Sequence, residues 1–274
     1  MSGRRPRPQA QPIRHPRPQG FRGTGTLLLV AHGSRDPRHA ATVTDLAARV
    51  RALRPGLSVE VGYLDHCAPR IGQVLSRLDG AGGGAVVALP LLLNRAFHAR
   101  SDIPAVLAEA AAAHPELTVR QGPVLGPSPL LLDALDRRLA EIGVHPSPHT
   151  GVVLAAAGSS DPAANAVTRQ VAATWQRSRG WGAVEVAHAS AAPPRVADAV
   201  AALRRRGLAT TAVAPYLLAP GLLPDRITAE AHAAGVTAVA APLGASPELA
   251  RLLLHRHDEA LRSRTAPGAL LRVG

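Results

Sequence analysis

The feature that most constrains this chain is an internal repeat, in which two segments share one pattern at a fixed offset. Residues 26–40 read TLLLVAHGSRDPRHA, and residues 151–166 read GVVLAAAGSSDPAANA. Each segment is an apolar run followed by Gly-Ser, one further polar residue and Asp-Pro. The dipeptides Pro69-Arg70 and Pro194-Arg195 lie at the same offset of 125 residues. A repeat of this length predicts two similar structural units within the 274 residues.

Each repeat alternates short apolar runs with longer segments of helical period. Strands are predicted near residues 26–31, 58–63, 85–91, 118–124, 151–156, 184–189, 210–217 and 237–242. Helices are predicted near residues 37–54, 69–79, 101–113, 128–142, 162–178, 195–206, 225–234 and 246–263. Alternating strands and helices form parallel sheets through right-handed crossovers. The predicted fold class is therefore α/β, with two similar domains related by internal duplication, each a flavodoxin-like parallel β-sheet sandwiched by helices.

The predicted domains cover residues 25–143 and 151–263, with a linker, GVHPSPHTG, at residues 143–151. Residues 1–24 hold six arginines and no acidic residue, and they carry about half of the net charge of +12. Such a Pro/Arg/Gln-rich segment cannot bury enough apolar surface to fold, so we predict a disordered basic tail. The rest of the chain is only mildly basic, and nucleic acid is not a required partner.

Cysteine content and hydropathy exclude several further classes of protein. The chain has one cysteine, Cys67, which excludes an internal disulfide framework and a CxxC metal site. No stretch approaches the roughly 20 apolar residues that a membrane-spanning helix needs. We therefore expect a cytoplasmic protein with no membrane partner, and a monomer whose two domains are related by the repeat.

Two histidines are the main candidates for chemistry. His32 directly follows the first predicted strand, and His98 follows the third after a short loop. In the strand order 2-1-3-4-5 these strands are neighbours, and ligands bind beyond their carboxyl ends. The second repeat has Ala157 and Leu223 at the matching positions, so the fold itself does not require the imidazoles. The alternatives are that both histidines are structural, or that two exposed positions have drifted.

A carboxylate is expected at the same edge of the sheet. Asp65 ends the second strand in VGYLDHCAP, where it is either a functional group or an ordinary helix cap or surface acid. The adjacent His66 and Cys67 point in different directions along the chain, so they cannot bind one ion together. We interpret both as packing residues.

The motif GSRDP after the first strand has two interpretations. It could bind an anion at the start of the following helix, or Ser34 or Asp36 could cap that helix. Capping is preferred for Asp36, because Asp161-Pro162 repeats the arrangement in the second unit.

The segments LLLVAHGSRDP, VGYLDHCAP and PLLLNRAFHARSDIP together resemble the class II chelatases, which insert a divalent metal into sirohydrochlorin. The resemblance extends over about residues 25–263 and implies a chelatase-like fold in its tandem two-domain form, with the histidines kept in the N-terminal unit. It implies that His32 and His98 bind the metal and take the pyrrole protons. Asp65 would be an accessory acid, at a position where the family often has glutamate.

The resemblance also implies which residues contact the macrocycle, because the family uses the loop before the second histidine. Arginines that flank the proposed cleft can pair with the carboxylates of the substrate. The candidate substrate-binding residues are Ser34, Arg35, Leu93, Asn94, Arg95, Ala96, Phe97 and Arg100.

The residue types suit metal delivery. A neutral imidazole binds Fe²⁺ or Co²⁺ and can accept a proton near neutral pH. Two histidines hold an ion weakly, which delivery requires. The expected partners are sirohydrochlorin and a divalent ion, Fe²⁺ for siroheme or Co²⁺ for a cobalamin precursor, and the ion is a substrate. No permanent cofactor is expected: the family needs no nucleotide, and the extension of longer relatives that would suggest an iron–sulfur cluster does not occur here.

Three other functions stay open at this point. The same fold could be a non-catalytic carrier of metal or tetrapyrrole. The sequence HGSR suggests a histidine phosphatase-like enzyme, although Ala31 stands where that chemistry usually has arginine. Residues 1–24 could bind nucleic acid.

Overall fold

The computed structural model describes residues 25–94, 102–208 and 210–263. Within these ranges the strands form two four-stranded parallel sheets, of order β2-β1-β3-β4 and β6-β5-β7-β8. The strands are β1 Thr26–Ala31, β2 Val59–Tyr63, β3 Gly84–Pro90, β4 Leu117–Gln121, β5 Thr150–Ala156, β6 Ala183–His188, β7 Thr210–Tyr216 and β8 Ala238–Val239. The predicted fold class is confirmed, as is the prediction that the first and third strands are neighbours.

Helices follow the strands in both halves of the described chain. They are α1 Pro37–Leu53, α2 Ile71–Gly80, α3 Asp102–Ala113, α4 Pro129–Ala140, α5 Pro162–Arg179, α6 Val196–Arg205, α7 Leu222–Ala233 and α8 Pro247–Arg262. Asp36 and Asp161 are the N-caps of α1 and α5, each accepting a hydrogen bond from a backbone N–H of the first turn. The predicted capping role of the Asp-Pro motif is confirmed in both repeats.

The outer face of each sheet packs against helices of its own half. In the first sheet Leu28 and Val30 of β1 pack with Ile71 of α2 and Ile103 of α3. In the second sheet the corresponding cluster joins β5, β6 and β7 to α6 and α7. This part of the fold agrees with the predicted sandwich, because the helices on the outer face of each sheet come from the same half of the chain as that sheet.

The inner faces of the two sheets share one layer of helices. Helix α4, the last helix of the first repeat, contacts β7 of the second sheet, and α8, the last helix of the second repeat, contacts β3 of the first. The inner-facing Leu29 and Leu154 consequently belong to a single buried cluster that runs through both halves. The sequence pattern does not reveal this exchange, because helical periodicity shows only that one face of a helix is apolar, not which sheet that face covers.

Polar contacts also cross this central layer. Arg54 at the end of α1 donates two hydrogen bonds to Asp258 of α8, at 2.5 and 2.8 Å. Trp175 of α5 donates its indole N–H to Asp136 of α4 at 2.8 Å. The two repeats are therefore joined by a continuous core and by specific polar contacts.

Several predicted boundaries differ from the structure. Strand β8 has two residues rather than the predicted 237–242, and β4 ends at Gln121 rather than at 124. Pro242 and Pro123 follow these strands, and proline has no N–H for a sheet ladder. Helix α7 begins at Leu222, three residues before the predicted start. None of the described helices is both long and apolar enough to cross a membrane, and the predicted tail at residues 1–24 lies outside the described ranges.

Candidate active site

A cavity of about 220 Å³ lies where the carboxyl ends of the two sheets meet. The segment 91–94 after β3 lines one side, and the segment 156–159 after β5 lines the other. The remaining lining residues come from α5 and from the end of β7; they are Ala164, Asn165, Thr168, Tyr216, Leu217 and Leu218. Parallel sheets bind ligands at this edge, and the two sheets here form facing walls of mostly apolar side chains.

Polar groups of both halves meet at the wall of this apolar cavity. Asn94 donates from Nδ2 to the hydroxyl of Thr168 at 3.1 Å, which links the two halves across the cavity. The Oδ1 atom of Asn94 and the hydroxyl of Tyr216 are buried without a hydrogen-bond partner among the described residues. Burial raises the pKa of Tyr216, so its hydroxyl stays protonated and can donate.

His32 stands at the same edge, on the side of the first sheet. It is exposed directly after β1, and its Nδ1 lies 3.3 Å from the carbonyl oxygen of Gly33. Leu91, the first residue after β3, donates its N–H to Val30 of β1 at 2.8 Å, so the ends of these strands are held together. His98 falls in residues 95–101, outside the described ranges, and its predicted proximity to His32 stays a prediction.

The loops after β1 and β2 are fastened to each other. Asp65 donates its N–H to the carbonyl of His32 at 2.8 Å. Cys67 donates its thiol to the carbonyl of Ser34 at 3.2 Å. A Cβ atom on Gly33 would stand only 1.7 Å from the carbonyl oxygen of Asp65, so the approach requires glycine there. These contacts place Asp65 at the same edge as His32, and Cys67 has the packing role that we expected.

The environment of Asp65 favours a charged carboxylate. Its Oδ1 accepts hydrogen bonds from the backbone N–H of His66 at 2.8 Å and from Arg70 Nη1 at 3.0 Å. These two hydrogen bonds lower the pKa of Asp65, the backbone bond having the larger effect. Asp65 therefore carries negative charge at neutral pH and is a weak base. Its predicted role as an accessory acid stays a prediction.

His66 lies beside His32, contrary to our interpretation of His66 as a packing residue. It is exposed, and its ring centre is 6.4 Å from that of His32, with the ring planes tilted by 40°. Sequence reasoning missed this pair because it considered only whether His66 and Cys67 could bind an ion together. The available signal was Ala191, which replaces His66 in the second repeat at the offset of 125 residues.

His39 is a further histidine near the site that sequence reasoning missed. It lies in the first turn of α1 and is partly buried, and its Nδ1 has no hydrogen-bond partner among the described residues. Burial, and secondarily the charge of His32, lower the pKa of His39. Ala164 occupies the matching position of the second repeat, so the same comparison would have found it.

The predicted substrate-binding residues differ in where the structure places them. Leu93 and Asn94 line the cavity, and Arg35 is exposed in the turn after β1. The hydroxyl of Ser34 accepts the N–H of Asp36 at 3.1 Å, a bond within the turn that Ser159 repeats in the second half. The candidates that lie outside the described ranges are Arg95, Ala96, Phe97 and Arg100.

The described part of the site does not form a closed metal cage. Among the residues that the structure describes, no three His, Cys, Asp or Glu side chains are placed to hold one metal ion.

Comparison with known proteins gives consistent matches over both repeats. The chain is 28% identical over 242 residues to the sirohydrochlorin ferrochelatase of Priestia megaterium, covering 87% of this chain and 91% of the relative. It is 26% identical over 205 residues to the sirohydrochlorin cobaltochelatase of the same organism, covering 74% of this chain and 67% of that protein. The solved structure of SirB from Bacillus subtilis with Fe³⁺ superimposes with a TM-score of 0.78 at 25% identity, covering 88% of this chain and 96% of that one. The model of the CbiX family matches twice, at residues 26–142 and 151–260, and the chain belongs to that family.

Proposed function

We propose that this chain is a sirohydrochlorin chelatase, which inserts a divalent metal ion into the macrocycle. The observation that carries the proposal is the position of His32, an exposed imidazole at the edge where the two sheets enclose a cavity. The names of the relatives support sirohydrochlorin as the substrate and both iron and cobalt as candidate ions. Fe²⁺ is our first candidate and Co²⁺ our second.

The chemistry requires that the macrocycle lose two pyrrole N–H protons while the ion enters. A neutral imidazole can bind the ion through nitrogen and, once the ion has left, can accept a proton. We assign His32 and His98 to both tasks. The charged carboxylate of Asp65 at the same edge attracts the cation and stabilises a neighbouring imidazolium. No permanent cofactor takes part in this scheme.

The cavity suits the flat face of a tetrapyrrole. Leu92 and Leu93 form one apolar wall, and Leu217 and Leu218 form the other. A volume of about 220 Å³ holds only part of a large macrocycle, so its carboxylate rim would extend towards solvent. We assign Arg35, Arg95 and Arg100 to bidentate pairs with these carboxylates.

The second half would supply a binding wall rather than catalytic groups. Ala157 occupies the position of His32 there and lines the cavity. The turn around it is the same as in the first half, since Ser190 donates its N–H to Ala157 at 2.9 Å as Asp65 does to His32. A methyl group in this position can contact a macrocycle but cannot bind a metal ion.

The decisive experiment measures anaerobic insertion of Fe²⁺ and Co²⁺ into sirohydrochlorin by absorbance. We expect His32→Ala and His98→Ala each to lower the rate by about 10²-fold, the scale of losing acid–base assistance. His32→Ala should fold normally, because the second repeat has alanine at that position. His232→Ala on α7 is the matched control, since it removes an exposed histidine that lies away from the cavity. Wild-type turnover in either variant would refute the role of that residue.

A non-catalytic carrier of metal or tetrapyrrole is the second candidate function, since the same cavity and exposed histidine could hold either one without turnover. Stoichiometric binding of Co²⁺ or of sirohydrochlorin, with no insertion under the same anaerobic conditions, would support the carrier and exclude the enzyme.

The shared helical layer supports a monomer, because the two repeats already cover each other's inner faces. Light scattering at micromolar protein concentration measures the oligomeric state directly.

A further inference from the structure

The proximity of His66 to His32 has a simple chemical consequence. Two imidazoles that bind one divalent ion through nitrogens at about 2.1 Å have ring centres roughly 5–6 Å apart. The observed separation is 6.4 Å, with the rings tilted by 40°. Both side chains are exposed, so a small rotation about their side-chain bonds can bring a nitrogen of each ring onto a shared ion.

The turn that presents His66 does not depend on the imidazole. His66 has a φ of 60°, and Ala191 at the matching position of the second repeat has a φ of 62°. The same hydrogen bonds and the same close glycine contact support both turns. The strained backbone is therefore a structural property of the repeat, whereas the two imidazoles are specific to the first half. Alanine occupies both positions in the second half, which also removes any possibility of a shared ion there.

The local charge also favours a cation. The carboxylate of Asp65 lies next to His66, with its Oδ2 atom 3.4 Å from Nε2 of that ring. Arg70 pairs with the other carboxylate oxygen at 3.0 Å and so partly offsets the negative charge. A cation at the histidine pair would thus find one negative group beside it without being enclosed.

We propose that His66 is a ligand of the metal substrate, and that with His32 it captures the divalent ion at the rim of the site. The path of the ion onward into the macrocycle rests on the proposed chelatase function, but the capture does not. Two imidazoles at an open edge bind an ion weakly, so the ion can exchange on to a ligand with more nitrogen donors.

The first test is Co²⁺ binding to the full chain, followed by the visible absorption of the bound ion and by calorimetry. His66→Ala keeps the turn, because alanine already adopts this conformation at residue 191. We expect His66→Ala to weaken Co²⁺ binding by at least about tenfold, the lower end of the effects seen around metal sites. The matched control, His232→Ala, should bind as the wild type does. Unchanged affinity in His66→Ala would overturn the proposal.

The second test rebuilds the pair in the other half. The double variant Ala157→His with Ala191→His places imidazoles on the same two turns of the second repeat. We expect a second weakly bound equivalent of Co²⁺, because the backbone there has the geometry of the first half. A double variant that unfolds at the wild-type temperature and binds only one equivalent would count against the proposal.

Measuring insertion in the same samples separates the two proposals. If Co²⁺ binding depends on His66 but the protein never metallates sirohydrochlorin, the proposed histidine pair is supported and the proposed chelatase function is refuted. If the wild type inserts the metal normally and His66→Ala has unchanged Co²⁺ affinity, the proposed chelatase function is supported and the proposed histidine pair is refuted.

Discussion

At the scale of single residues, Gly33 decides how close the loops after β1 and β2 can come. Its φ is +95°, and a Cβ atom there would lie 1.7 Å from the carbonyl oxygen of Asp65. Gly158 repeats this contact in the second half, with φ of +86° and a distance of 2.1 Å to the carbonyl oxygen of Ser190. Only glycine combines such a backbone conformation with so close an approach.

We predict that Gly33→Ala destabilises the protein by about 2 kcal/mol or more, since a strained φ and a steric clash act together. It should also weaken Co²⁺ binding, because the loop must move His66 away from His32. Urea unfolding and Co²⁺ titration measure the two effects.

Gly158→Ala is the matched control for this prediction. It should cost a similar unfolding free energy while leaving Co²⁺ affinity unchanged, because the turns that meet there carry Ala157 and Ala191 in place of the two histidines. Equal loss of Co²⁺ affinity in both variants would mean that general destabilisation, not the geometry of the histidine turn, is responsible.

The histidines differ in how far the sequence reveals them. His32 is evident from its place after an apolar run and from Ala157 in the repeat. His66 and His39 reach the same site through a tight turn and a first helical turn, and spacing alone does not show where their rings lie. Proximity across loops depends on tertiary hydrogen bonds such as that from Asp65 to His32.

At the scale of elements, the start of α8 is tied to α4 by a buried carboxylate. Glu248 is only 4% exposed, and it accepts hydrogen bonds from Arg137 of α4 at 2.6 and 3.0 Å. The hydrogen bonds from Arg137 lower the pKa of Glu248 below its usual value. This pair links the last helix of one repeat to the last helix of the other.

We predict that Glu248→Gln lowers the unfolding free energy by about 1.5–3 kcal/mol at pH 7, the range for hydrogen bonds to a charged group. Because the folded pKa of Glu248 is depressed, its contribution is fully present above the unfolded pKa of about 4.3 and is lost as the pH falls through the folded value. The difference in unfolding free energy between the wild type and Glu248→Gln should therefore become smaller below about pH 4.5. Urea unfolding between pH 3 and pH 7 measures it.

Glu259→Gln on the same helix is the control, because Glu259 is a half-exposed partner of Arg256. Such surface pairs contribute about 0–1 kcal/mol, so this variant should remain close to wild type at every pH. If the loss of unfolding free energy in Glu248→Gln stays constant down to pH 3, the charge of Glu248 is not what stabilises the helix pair.

At the scale of the whole molecule, the exchange of α4 and α8 makes the two repeats depend on each other. Leu89 of β3 is fully buried in the cluster that both halves share, and α8 packs against that strand. The ranges 25–143 and 151–263, which we predicted as domains, contain the strands of one sheet each, except that the second range lacks Thr150 at the start of β5. Neither range contains all the helices that cover the inner face of its own sheet.

We predict that residues 25–143 and 151–263, produced separately, do not form stable monomers. Each would expose the apolar surface that the exchanged helix covers, and such surface drives association. Mixing the two fragments should restore a one-to-one complex with cooperative unfolding, measured by light scattering and circular dichroism. A monomeric, cooperatively unfolding fragment 25–143 would show that α8 is dispensable for the first sheet.

The sequence by itself determined the duplication, the parallel α/β sheets, the helix caps at Asp36 and Asp161, and the place of His32 after β1. These features follow from local patterns, since apolar period, proline and capping residues act within a few neighbouring residues. Only the tertiary structure decided that α4 and α8 change places and that His66 stands beside His32. An amphipathic helix can cover either of two similar sheets, so its period does not show which one it packs against. The rings of His32 and His66 come together only when the loops after β1 and β2 pack against each other.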